Sequence, residues 1–218
     1  MYLYFLGNSC FKIQTNDKET TLLLDPFDGT AGNLSKQTAE VILSSSDRSD
    51  HSYVDIVKRT SPVLPFIINN PGEYDVKGIS IQAVEVKQDM VDGKSGSEYV
   101  TLYSMGIEGV FVGHLGALNR SLKEAELEAL GRIDVLLLPV GGGHVLSPKV
   151  AIEIIAQIEP RMVIPCHYAM KESKLELGTL QSFLKESGMK TDEAVDKLKI
   201  TKKELPGEDT KCIVLNIA

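Results

Sequence analysis

Val41-Ile42-Leu43-Ser44-Ser45-Ser46-Asp47-Arg48-Ser49-Asp50-His51 joins a short apolar run to a polar segment ending in a carboxylate and an imidazole. Glu40–Ser44 has the continuous apolar character of a strand covered on both faces. His51 therefore stands just beyond a strand end, where folds of alternating strands and helices place reactive side chains. A second junction of this kind, MVIPCHY (Met162–Tyr168), sets His167 behind another apolar run. Two histidines at strand ends do not by themselves decide between chemistry and structure.

Outward from these junctions, the first quarter of the chain is strand-like. YLYFLG (Tyr2–Gly7), CFKIQT (Cys10–Thr15) and TTLLLD (Thr20–Asp25) are rich in aromatic and branched residues, and turn formers separate them. VLPFIIN (Val63–Asn69), GISIQAVEV (Gly78–Val86), YVTLYSM (Tyr99–Met105) and GVFVG (Gly109–Gly113) continue the series. The turn-rich NNPGEYDVKG (Asn69–Gly78) and the polar DMVDGKSGSE (Asp89–Glu98) interrupt it. Helices enter later. Ser121 with Glu124 forms a capping-box pattern for a helix ending at Gly131. After the strand DVLLLPV (Asp134–Val140), Ser147 as cap and Pro148 in the first turn open a second helix, which Pro160 closes. RMVIP (Arg161–Pro165) returns as a strand, and a helix over 179–187 and a strand KCIVLNI (Lys211–Ile217) finish the chain. Periodicity alone leaves two architectures open, a sandwich of two mixed sheets and an ordinary doubly wound sheet.

Composition narrows the function classes. Residues 1–218 fit one domain with a core large enough to need no staples. A net charge of −7, from 23 Lys and Arg against 30 Asp and Glu, argues against a nucleic-acid partner. Cys10, Cys166 and Cys212 are odd in number and widely spaced, which suits a reducing compartment. No run approaches the ~18 apolar residues of a membrane span. The N-terminal MYLYFLGNSCFKI lacks the basic region of a secretory signal. The expectation is a cytoplasmic protein with no membrane partner.

Seven segments in order resemble the small, lactonase-like branch of the metallo-β-lactamase-fold hydrolases. They are FLGNSCFKI (Phe5–Ile13), LLLDPFD (Leu22–Asp28), VILSSSDRSDH (Val41–His51), NNPGEYDVKG (Asn69–Gly78), VGHLGAL (Val112–Leu118), DVLLLPVGGGH (Asp134–His144) and PRMVIPCHY (Pro160–Tyr168). The resemblance implies a four-layer αββα sandwich, two mixed β-sheets flanked by helices, with a two-metal site at one sheet edge. Its ligands would come from a His-x-His-x-Asp-His loop, a later His, a bridging Asp and a final His. Two cations there share a water and polarise the bond under attack.

Carried over residue by residue, that ligand set is incomplete. Ser46 and Arg48 stand for the first two histidines, Gln88 for the later one, Ala117 for the bridging Asp and Asn8 for an opening His. Arg48 brings a permanent positive charge to where a cation would sit. Like charges ~4 Å apart repel by ~4 kcal/mol at a protein surface. What remains is Asp50, His51 and His167, with Asp50 also the one catalytic candidate. These three either hold a single zinc with a water or hydrogen-bond one another, with Arg48 paired to Asp50 or Asp47.

The remaining candidates read as structure. His114 is expected at a sheet end, and His144, behind Gly141–Gly143, on a mouth loop that is at least as readily a plain turn. Ser44–Ser46 lack a base or nucleophile elbow, Cys166 reads as a buried thiol, and Glu73 as part of a structural turn or subunit contact. The leading expectation is a relative of the metallohydrolases without robust two-metal hydrolysis, serving to bind a small molecule or another subunit, a homo-oligomer included. Its rival is a one-metal hydrolase of lactones, esters or phosphoesters using Asp50, His51 and His167.

Overall fold

The computed structural model describes residues 1–58, 64–90, 98–207 and 209–218. The N-terminal runs pair as read. Strands β1 (Tyr2–Gly7) and β2 (Cys10–Gln14) form an antiparallel hairpin about Asn8 and Ser9, with β3 (Thr21–Leu24) antiparallel to β2. Strand β4 (Gln37–Thr38) is a short excursion, and β5 (Val41–Leu43) returns parallel to β3. Strand β6 (Val57–Lys58) pairs with β4, and β7 (Phe66–Ile68) lies parallel to β5. Val63, at the head of the expected strand Val63–Asn69, and 91–97 of the polar loop lie outside the described residues.

The second sheet begins with the meander β8 (Gly72–Val76), β9 (Ile79–Lys87), β10 (Tyr99–Ile107) and β11 (Val110–His114). Three parallel strands extend it: β12 (Val135–Pro139), β13 (Met162–Cys166) and β15 (Lys211–Cys212). Strand β14 (Leu198–Lys199) crosses back to the edge of β1. The result is a six-stranded sheet, β14-β1-β2-β3-β5-β7, and a seven-stranded sheet, β15-β13-β12-β11-β10-β9-β8. Two mixed sheets, and not one doubly wound sheet, answer the question that periodicity left open.

The packing explains why the apolar runs lack strict alternation. Leu22, Leu24, Val41, Leu43, Phe5 and Phe11 of the first sheet pack against Tyr103, Met105, Val112, Leu137 and Ile164 of the second, all buried. Leu136, Leu138 and Val163 point the other way, onto Ala151, Ile154 and Phe183 of the helices. Each such side chain contributes roughly 1.5–3 kcal/mol. The helices α1 (Glu124–Leu130), α2 (Pro148–Ile158) and α3 (Leu180–Ser187) all cover the second sheet. The outer face of the first sheet is covered instead by Phe27, Ala31 and Ala39, packed on Leu23 and Ile42.

Local differences from the sequence reading have local causes. GEYDV is an edge strand rather than a turn, with Glu73 opposite Gln82 across the ladder. Helix α1 starts two residues late: the Glu126 carboxylate accepts from the Lys123 amide at 2.8 Å and is held by Arg120 at 2.7 Å. Ser121 is drawn off toward Glu153. Ser147 caps the second helix as expected, accepting from Val150, and Thr179, read as the first residue of the third helix, is its cap and accepts from Ser182. The last strand covers only Lys211–Cys212, followed by single bridges at Leu215 and Ile217.

Candidate metal centre

Five chain segments meet at one end of the two sheets, each brought there by a strand end. Leaving β3, Asp25 adopts φ 45° and donates its amide to Leu43. Leaving β5, Ser45 donates its amide to Asp25 Oδ1 and its hydroxyl to Asp25 Oδ2, both at 2.7 Å. From the opposite sheet, His114 at the end of β11 sets Nε2 2.7 Å from Asp25 Oδ2. Asp25, Ser45 and His114 are fully buried, so this cluster ties the sheets together immediately beneath the polar loop. Burial by itself would raise the Asp25 carboxyl. The His114 and His51 imidazoles, with the hydrogen bonds from His114 and Ser45, hold it below its ordinary range.

Close packing here requires glycine at one position. A Cβ on Gly116 would lie 2.2 Å from Ser45 Cβ and 2.1 Å from its hydroxyl, and Gly116 has φ 51°. Gly116→Ala is expected to cost about 1–3 kcal/mol through backbone displacement, read as a lower urea midpoint. An unchanged midpoint would show that the approach is not tight.

Above this floor, Asp50 is the anchor. Its Oδ1 accepts from Arg48 Nε and faces His51 Nδ1, both at 2.9 Å, and its Oδ2 accepts from Arg48 Nη2 at 3.0 Å. The Asn8 side-chain amide donates to the Asp50 carbonyl at 2.9 Å, so the hairpin turn supports the loop. Desolvation opposes the charged carboxylate, but His51 and then Arg48 outweigh it and hold Asp50 well below the usual carboxylate range. The pairing of Arg48 with Asp50 is one that the sequence had left open.

His167 follows β13 with φ 52°, its amide donating to the Asn8 carbonyl at 2.7 Å. Asn8, Asp25 and His167 are thus three non-glycine residues in the left-handed region at one edge, strain that persists only when surrounding contacts over-determine it. His144 arrives from the glycine loop after β12. A Cβ on Gly141 would lie 2.3 Å from the His167 carbonyl, and Gly142 and Gly143 have φ 68° and 67°. These glycines let the loop fold onto His167, and the His144 and His167 rings come to 5.1 Å.

The result is a convergent donor set. One ligand atom each from Asp50, His144 and His167 lie within 4.8 Å of one another. His144 Nε2 is 3.9 Å from Asp50 Oδ2, and the His51 ring is 5.0 Å from that of His167. Among the described residues, His51 Nε2, His144 Nε2 and both nitrogens of His167 are buried with no hydrogen-bond partner. Burial lowers His167 well below its ordinary value and, with Arg48 and His51 nearby, brings His144 down to about 4. Both rings are therefore neutral near pH 7, the form that binds a metal.

That depression has a sign. Between about 6.5, the ordinary value, and about 4, the unfolded chain takes a proton on His144 that the folded chain refuses. Chelator-treated protein is thus expected to lose stability as pH falls through this window, by up to ~1.4 kcal/mol per pH unit for each refused proton. Urea unfolding at pH 7, 6, 5 and 4 checks it, and a flat profile would contradict the burial argument.

Of the three ligands expected from the sequence, Asp50 and His167 belong to the convergent donor set, His144 stands in it where His51 was expected, and His51 lies beside it against Asp50. His51 uses Nδ1 to brace Asp50, and its Nε2 is buried without a partner among the described residues. Gln88 is committed elsewhere: its amide donates to the Ala117 carbonyl at 2.6 Å and accepts from the Asn119 amide at 3.0 Å. Ala117 is buried among Leu115 and Leu118. Cys166 is a buried thiol, as read. No helix among the described residues is long and apolar enough to cross a membrane.

Known proteins share this arrangement of segments. A family model of the beta-lactamase superfamily domain matches residues 2–167. The UPF0173 metal-dependent hydrolase of Thermococcus onnurineus is 30% identical, across 75% of this chain and 83% of that one. A protein so named from Lysinibacillus sphaericus is 26% identical, across 77% and 85%. A crystal structure from Thermotoga maritima, of a protein of the metallo-β-lactamase superfamily, superposes with a TM-score of 0.77 at 30% identity, covering 98% of this chain and 97% of that one. Igni18, a metallo hydrolase of Ignicoccus hospitalis, shares the fold at a TM-score of 0.63 and 15% identity, over 92% and 99% of the two chains. With the family model spanning most of its length and two paired mixed sheets beneath it, the chain belongs to the metallo-β-lactamase superfamily.

Proposed function

We propose that the protein is a hydrolase dependent on one metal ion, held by Asp50, His144 and His167 with His51 at its side. The carrying observation is the set of four buried imidazole nitrogens without partners around one ionised carboxylate. Each unsatisfied buried group costs ~1–3 kcal/mol, and an ion that takes nitrogen and oxygen donors relieves that cost at several of them together. Carboxylate plus imidazoles is a donor set suited to zinc, and also to iron or manganese. The names of the relatives support a metal-dependent hydrolase.

When bound, such an ion supplies Lewis acidity toward a carbonyl or phosphoryl bond and acidifies water. The chain's own residues do the rest. Asp50 stays ionised because Arg48 and His51 hold it so, and His144 and His167 stay neutral because they are buried. Asn8 and the Gly141 turn fix the loops that carry them. Lactones, esters and phosphoesters are the substrate classes to test.

A second reading, binding without turnover, is favoured by the bidentate Arg48–Asp50 pair, which occupies both carboxylate oxygens. Metal analysis of purified protein after zinc loading separates the cases. About one tightly bound equivalent per chain, with turnover of an ester or lactone panel, is the expected result. Two tight equivalents would overturn the one-metal site, no tight zinc would overturn the metal centre, and zinc without turnover would favour the second reading.

A further inference from the structure

We propose that Arg48 is the substrate-recognition residue of this site, a clamp that takes a carboxylate or phosphoryl group of the substrate on the guanidinium edge that Asp50 leaves free. The inference rests on the metal-centre reading only for where the scissile bond lies. The clamp itself stands on the geometry of Arg48.

A guanidinium carries five N–H donors on two edges, each matched to a pair of carboxylate or phosphate oxygens. Asp50 takes one edge, with Nε at 2.9 Å and Nη2 at 3.0 Å. Three donors remain, two on Nη1 and one on Nη2, and among the described residues no acceptor meets them. The inner edge is anchored on a carboxylate whose side chain is 3% exposed, while the Arg48 side chain is 28% exposed. The anchoring carboxylate is thus buried, while the arginine that it holds keeps part of its side chain in contact with solvent. His144, 24% exposed, stands beside the same carboxylate, its Nε2 3.9 Å from Oδ2. Arg48 and His144 thus share Asp50 as a common neighbour.

The loop holds this edge in place before any ligand arrives. The Arg48 amide donates to the Ser46 hydroxyl at 3.3 Å, and the Ser52 hydroxyl donates to the Arg48 carbonyl at 2.8 Å. Asp50 is braced in turn by His51 and Asn8. A long side chain normally loses much rotamer freedom on binding. Here most of that loss has already occurred on folding, which favours affinity. Asp50 cancels the charge of Arg48 only in part at the free edge, since the carboxylate lies behind it. A protein with a net charge of −7 does not attract anions at long range, so a local donor edge is what selects them.

Inorganic phosphate and acetate are suitable probes, titrated by calorimetry into zinc-loaded and chelator-treated protein, wild type, Arg48→Gln and Arg48→Lys. Losing a charge-assisted pair is expected to weaken phosphate or acetate about 10- to 100-fold in Arg48→Gln. Arg48→Lys, a point charge without the planar edge, should recover only part of the loss. Tighter binding of phosphate would assign phosphoryl substrates, and tighter binding of acetate, carboxylates. Equal affinity in wild type and Arg48→Gln, or no binding to wild type, overturns the clamp. Zinc stoichiometry on the same samples keeps the two readings apart. Zinc uptake with unchanged phosphate affinity sinks the clamp alone, and absent zinc uptake sinks the metal centre while the chelated arm still decides the clamp. Should Arg48→Gln fail to fold, arginine-labelled wild type decides by NMR: the Arg48 guanidinium signals must shift on adding phosphate, and a static spectrum overturns the proposal.

Discussion

Replacing His167 with alanine is expected to weaken zinc binding by at least ~100-fold. Outer partners of a ligand already cost 10- to 100-fold when removed, and His167 is central to the cluster. Its ring lies 5.0 Å from that of His51 and 5.1 Å from that of His144, and both its nitrogens are buried without partners. Ala117 offers no side-chain ligand and Gln88 is bound to the Ala117–Asn119 turn, which leaves His51 Nε2 as the neighbouring nitrogen, on a ring already braced against Asp50. Alanine also confounds two effects, since position 167 has φ 52°, where a residue other than Gly, Asn or Asp pays ~1–2 kcal/mol. His167→Asn separates them. Both variants should lose zinc, while the asparagine variant, at home in that conformation, should be the more stable by about 1 kcal/mol. Zinc affinity by calorimetry with a competing chelator reads the first effect, and thermal melting of chelated protein the second. Wild-type affinity in either variant would remove His167 from the metal centre.

What the sequence disclosed of this centre was whatever lies beside its own strand. Asp50 and His51 were legible at the end of the polar loop that leaves an apolar run, and His167 directly behind another. His144 was not, because its place depends on a contact distant in sequence, Gly141 against the His167 carbonyl. Three consecutive glycines were the available signal, since a run without Cβ atoms marks where one backbone must pass close to another. Asp25 was overlooked for a similar reason. It stood in the quoted LLLDPFD segment, yet only the facing sheet supplies His114 and gives the carboxylate its partner. The paired sheets could be anticipated from the order of segments. Short edge pieces such as Gly72–Val76 could not, because a half-exposed strand rich in Gly, Asp and Glu has the composition of a turn.

The residues at positions 48 and 117 can be set electrostatically against the ligands that the resemblance implied. Relative to the two-metal ligand set that the resemblance implied, Ala117 removes a carboxylate, and Arg48 supplies one positive charge where a divalent ion would have stood. Losing one doubly charged cation and one anion while gaining one monovalent cation leaves the summed formal charge of the site as it was. A guanidinium cannot bridge through oxygen or exchange a ligand, but it can offer fixed donors to developing negative charge.

Asp25→Ala is expected to be the most destabilising single change near the centre, at about 3–5 kcal/mol, the cost of removing one partner from a buried charged network. For a chain of this size that corresponds to a fall in Tm of roughly 6–20 °C. Three buried donors or rings lose their acceptor together: the Ser45 amide, the Ser45 hydroxyl and His114 Nε2, all at 2.7 Å. None has a route to water, because Ser45 and His114 are at most 1% exposed. Asp25→Asn should be milder, since its carbonyl can still accept from the Ser45 amide and its NH2 can donate to a His114 nitrogen in the other tautomer. The effect is also tied to pH. The Asp25 carboxyl is held below 3.8 in the folded protein, so its stabilisation is fully present above that value and is lost as pH falls through the depressed folded value. The gap between wild type and Asp25→Ala should therefore be widest near pH 7 and narrow in strong acid. Melting within about 2 °C of wild type at neutral pH would mean that the two sheets are held at this end by packing alone, and that the floor beneath Asp50 does not depend on the carboxylate.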